Sequence, residues 1–152
     1  MQDANNPDAD NIILRVYSHR DFKAGDLKEN DIISIKRIAA KKDPKSNFDL
    51  ARALLAVVEY DEPLAKELCS SFLTRCTSRE ADIFFLFLSE EKMKLHYSLC
   101  KELILNYSIR FPVGYEIERG LNNIILSDGI DEVFNYFLKR FDIKKTSFEE
   151  KT

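Results

Sequence analysis

His96 and Cys100 stand one helical turn apart, the spacing at which an imidazole and a thiol can meet on one helix face. A nucleophilic Cys–His pair also needs a partly exposed thiolate and a third group to orient the base. Met93, His96 and Cys100 share what the periodicity makes the apolar face of one helix, so core packing is the reading adopted. His19, the other histidine, sits beside Arg20 and Asp21 in a loop with nothing near it in sequence to act with. Cys69 and Cys76 share a face about 10 Å apart along one helix, too far to ligate one metal jointly. Both match apolar positions, where free cysteine is commonly buried. The pairs Glu90-Glu91 and Glu149-Glu150 read as solvated charges at a helix start and in a tail, with no pocket signature around them. No glycine forms a phosphate-cradling loop. No catalytic residue, metal ligand set or cofactor is expected, and no small-molecule substrate is evident. The chain reads as non-enzymatic.

Two features speak instead to binding. Lys36, Arg37, Lys41, Lys42 and Lys45 cluster near the expected C-terminus of a helix, where the macrodipole alone favours cations. The alternative is contact with a phosphate backbone, as in an RNA- or ribosome-associated factor, helped by Lys139, Arg140, Lys144 and Lys145 at the other end. The second feature is aromatic. Tyr136 lies opposite the apolar stripe of its own helix, and Phe111 and Tyr115 lie nearby in sequence. With Arg119 and Arg140 they compose an aromatic–arginine patch of the kind enriched at interface hot spots. Phe111 and Tyr115 can equally cap the core between two hairpins.

These residues need helices to position them. Residues 1–10 read as a disordered acidic tail, 11–145 as one helical domain and 146–152 as a frayed polar tail. NIILRVY at 11–17 fits a strand or a helix equally, since periodicity does not separate such short runs. Asn30 or Asp31 caps a helix with Ile32, Ile35, Ile38 and Ala39 on one face, ended by Asp43-Pro44. Ser46 begins a helix through Val58, and Asp61-Glu62-Pro63 starts another through Leu73. Thr77 and Glu80 form a capping box before ADIFFLFL, Ala81–Leu88, which is apolar on every side and so requires enclosure. Ser89 is read as the cap of a long helix through Met93, Tyr97, Cys100 and Tyr107. After Phe111-Pro112 comes a helix with Ile117, Leu121, Ile124 and Ile125 on one side. Gly120 within it costs about 1 kcal/mol relative to alanine and implies close approach of another helix. The last helix carries Ile130, Val133, Phe134, Phe137, Leu138 and Phe141 as an inward stripe, with acids in its first turn and bases in its last.

The fold class is therefore all-α: about seven helices in antiparallel hairpins, 46–60 with 62–76, 78–88 with 90–108, and 113–126 with 130–142. Hairpin starts near 46, 78 and 113 fall in the period of helical repeats, which leaves a short α-solenoid and a globular bundle around the apolar helix both open. Four glycines and four prolines in 152 residues leave too few turns for a sandwich or barrel. A formal net charge of −3 excludes a strongly basic protein but not a basic patch. Three cysteines without paired spacing and a polar, acidic N-terminus lead to the expectation of a soluble, cytoplasmic protein in a reducing compartment. No apolar run approaches the roughly 20 residues of a membrane span.

The hairpin organisation is similar to the HEAT-like domains of translation-initiation scaffolds, but no signature positions match and no family is recognised. The enclosed apolar helix is similar to the Bcl-like apoptosis-regulator bundle, although this chain lacks that family's Asn-Trp-Gly-Arg motif and has no tryptophan. The expected function is a protein–protein interaction module, an adaptor or regulatory factor, whose partner is another protein. RNA or the ribosome is the alternative partner.

Overall fold

A computed structural model describes residues 7–18, 27–111 and 114–140. The protein is all-α, with eight α-helices and no strand among the described residues. They are α1 (Pro7–Ser18), α2 (Glu29–Lys41), α3 (Asn47–Ala56), α4 (Glu62–Arg75), α5 (Ser78–Phe87), α6 (Tyr97–Tyr107), α7 (Tyr115–Asp128) and α8 (Ile130–Arg140). Two start signals act as read, whereas α2 is capped by Lys28 rather than by Asn30 or Asp31, and Asp31 accepts from the Lys28 N–H at 2.8 Å. Asp61 accepts from the Leu64 N–H at 3.1 Å, and Pro63 occupies the first turn of α4, where its missing N–H costs nothing. Thr77 and Glu80 cap α5 reciprocally, at 3.2 and 2.8 Å.

The helices contact one another in two series. α3 packs on α1 and α5, and α5 packs on α7; α4 packs on α2 and α6. Neighbours in sequence join the series, α3 with α4, α6 with α7 and α7 with α8. Phe72 of α4 and Phe84 of α5 meet with ring centres 5.7 Å apart, and Phe85 adds an edge contact at 5.4 Å. Gly120 permits the close approach expected of it, since a Cβ there would lie 2.9 Å from Cδ1 of Ile104 on α6.

Three further expectations are corrected and one open reading is resolved. Residues 7–10 are not tail: they form the first turn of α1, with Asp10 buried beneath Arg37 and Lys41. NIILRVY is helical, burying Leu14 and Tyr17. ADIFFLFL is enclosed on one side rather than all round. Ala81, Phe84, Phe85 and Leu88 are buried, while Ile83, Leu86 and Phe87 are half-buried, because α5 lies between α3 and α7 rather than within a ring of helices. The guanidinium of Arg52, 4.5 Å above the Phe87 ring, covers part of that outer side.

The helix expected over 90–108 begins only at Tyr97. α5 runs instead into a π-turn at Leu88–Lys92, where the Met93 N–H reaches the Leu88 carbonyl at 3.1 Å. The extra residue turns Lys92 inward, and its ammonium meets both Glu59 oxygens at 2.8 and 2.7 Å. A partly buried ion pair accompanies that widened turn where periodicity alone favoured a continuous helix. Residues 1–6 and 141–152, which include Phe141, Lys144, Lys145 and the expected C-terminal tail, lie outside the described residues, as does His19.

Candidate interaction surfaces

The π-turn changes the meaning of His96. It does not lie on an apolar helix face; it is the N-cap of α6. Its Nε2 is 3.5 Å from Glu59 and its Nδ1 is 3.4 Å from Glu62. Both carboxylates come from 34 or more residues upstream, near the start of α4, so no local pattern announces them. Burial, and secondarily Glu62, pushes the Cys100 thiol up to about 12. Burial likewise raises Cys69, with Cys100 adding to it, and holds Cys76 at about 11. All three are free and buried. Among the described residues no group of three or more His, Cys, Asp or Glu is placed to hold a metal.

The sequence cluster of cations is divided. Arg37 and Lys41 both turn onto Asp10, with Arg37 Nη1 at 2.9 Å from the carboxylate. Burial alone would raise the Asp10 carboxyl, but the hydrogen bonds from Lys41 and Arg37 outweigh it and hold it below the ordinary value. These two cations serve the α1–α2 junction. Lys36, Lys42 and Lys45 remain exposed. Lys42 adopts the left-handed conformation that ends α2, at φ 53°, and its N–H returns to the Ala39 carbonyl at 3.2 Å.

The expected aromatic–arginine patch is also divided. Phe111 is 3% exposed and belongs to the core, with the Arg110 guanidinium 4.5 Å from its ring centre. Arg110 itself donates to the carbonyls of Leu73 and Cys76 at 3.0 and 2.8 Å, closing the end of α4 from a distant loop. Tyr136 faces α6, its hydroxyl donating to Asn106, and Arg140 lies within 3.3 Å of that hydroxyl. Tyr136 and Arg140 are thus brought together, but at a helix junction. Tyr115 is exposed at the start of α7, and Arg119 is an exposed partner of Glu116 at 3.4 Å.

The reason is the rotation of α8. Val133 is its one buried residue, while Tyr136, Phe137 and Leu138 are half-buried. Ile130 and Phe134, expected inside, are 66% and 59% exposed, and Leu126 at the adjoining end of α7 is 84% exposed. Glu132 is held by Lys101 of α6 at 2.9 Å, and Tyr136 by Asn106, so both anchors pull one side of α8 toward α6. The apolar surface that results was not the one the aromatic residues suggested.

No helix among the described residues is long and apolar enough to cross a membrane. The chain matches no protein-family model, no curated protein and no solved structure.

Proposed function

We propose that the chain is a non-enzymatic protein–protein interaction module, a short HEAT-like stack of helical hairpins that docks a partner protein on the α7–α8 hairpin. The two series of helix contacts support the stacked arrangement. The observation that carries the docking face is the exposure of Ile130 and Phe134 on α8 beside Leu126. Large apolar groups gathered at one end of a fold mark interaction sites more often than chance exposure does. Ile130, Phe134 and Leu138 recur at every fourth residue, which suits a partner helix laid along α8 with its own apolar face inward. Asp131 at one end and Lys139 with Arg140 at the other give that partner a direction.

The test compares the wild-type chain with Ile130→Glu and Phe134→Glu in cross-linking from the source cell. Both positions are exposed, so melting temperature should hold. A partner recovered with the wild type and lost in both variants supports the reading. A partner retained by both variants refutes this face, and light scattering that gives a dimer dissociated by either variant identifies the partner as a second copy.

A further inference from the structure

We propose that the cleft between α2 and α4 binds a phosphate monoester carried on a small apolar stem. The cleft holds about 250 Å³, below the roughly 300–1,000 Å³ of drug-sized pockets, so it suits one phosphorylated group rather than a dinucleotide. Ala39 and Ala40 on α2 and Leu68 and Ser71 on α4 line it mostly with carbon surface. The floor is consequently apolar.

Its rim is cationic. Lys36 comes from α2, Lys42 from the residue that caps it and Arg75 from α4, and Glu67 is the one carboxylate among the lining residues. Lys36 and Lys42 have no acidic partner among the described residues, unlike their sequence neighbours Arg37 and Lys41. Arg75 spends one Nη1 on Asn47 at 2.8 Å, and its enclosed Nε has no hydrogen-bond partner. Burial works against the charge on Arg75 more than the nearby Glu80 carboxylate supports it, and an anion in the cleft would offset the remaining cost. A phosphate monoester near pH 7 carries about −1.5 to −2 charges, which matches the two-charge cationic excess better than a carboxylate does. The carbonyl ends of α2 and α4, at Lys42 and Arg75, both oppose an anion, so the phosphate rests on the three cations together. The apolar stem then lies on Ala39, Ala40 and Leu68. A nucleic-acid backbone fits less well, because its phosphodiesters need a continuous track of cations, and Asp10 has engaged Arg37 and Lys41.

The experiment titrates the full chain with phenyl phosphate, inorganic phosphate, benzoate and a uridine decanucleotide, following backbone amide resonances. Phenyl phosphate should give saturable shifts confined to residues 36–42 and 67–75, and should bind about tenfold or more tighter than benzoate, as one charge-assisted contact predicts. Lys36→Gln combined with Lys42→Gln should weaken it by at least about tenfold at unchanged melting temperature. Arg75→Lys should weaken it comparably, and because Arg75 also braces Asn47, the exposed lysine pair keeps the test valid if that variant is unstable. A phosphotyrosine peptide that binds as well as phenyl phosphate assigns the ligand to a partner side chain, and its exclusion assigns a free small phosphate; both uphold the site. No saturable shift, equal binding of benzoate, indifference to the lysine pair, or tighter binding of the decanucleotide would each overturn it.

Discussion

Asp10 and Arg37 are 27 residues apart in sequence, and their side chains lie 2.9 Å apart across the α1–α2 junction. Asp10 is 4% exposed and also accepts from Lys41. One carboxylate, placed by a helix in what reads as a tail, therefore decides which cations of a basic cluster remain available. That division leaves Lys36 and Lys42 to the cleft shared with Arg75.

Asp10→Asn should lower stability by about 1–3 kcal/mol at pH 7, the cost of removing a buried charged acceptor. The carboxyl's folded pKa lies below its ordinary 3.8, so its contribution is full above that value and is lost as pH falls through the folded pKa. Urea midpoints of the wild type and variant should differ at pH 7 and converge as pH falls below 3.8. A gap that persists or widens in acid contradicts the pairing.

Phe85→Ala should cost about 3–5 kcal/mol, because the ring is wholly buried and touches Phe84. Phe87→Ala should cost less, since Phe87 is half-buried and its outer side is covered by Arg52. Equal losses in a denaturant series would mean α5 is enclosed on both sides after all.

Native-state thiol labelling at pH 8 should be slow at all three cysteines and complete only on unfolding. Burial raises each thiol, to about 11 for Cys76 and about 12 for Cys100, which leaves almost no thiolate to react. One thiol titrating rapidly in the folded protein would show an opening that the packing does not contain.

At Gly120 an added Cβ would lie 2.9 Å from the Ile104 Cδ1 tip and 3.4 and 3.6 Å from its Cγ1 and Cγ2, so the further methyls of a branched side chain crowd the same residue. Gly120→Ala should stay within about 1 kcal/mol of wild type, the gain in helix propensity offsetting the displacement of that tip. Gly120→Val should lose about 1–3 kcal/mol by overpacking. Thermal melts of the two variants distinguish crowding from simple propensity.

Helix identity was legible over α2 to α5, α7 and α8 because it follows from local chemistry. Thr77 and Glu80 cap a helix wherever that helix packs, Asp61 and Pro63 start one, and the three- and four-residue apolar steps of α2, α4 and α7 need no partner to be seen. The placement of Gly120 at a close helix contact was legible for the same reason, since a glycine inside a helix costs stability unless something approaches it. What the helices present to solvent depended on contacts 30 or more residues apart. Lys92 joined Glu59 at the break in a helix that periodicity continued, and the same break moved His96 from an apolar face to a cap between two carboxylates. Asn106 and Lys101 held α8 by one side and turned Ile130 and Phe134 outward. An amphipathic stripe specifies that a helix has an apolar side, but its rotation against its neighbours is set by long-range pairs, and only the tertiary structure contains those.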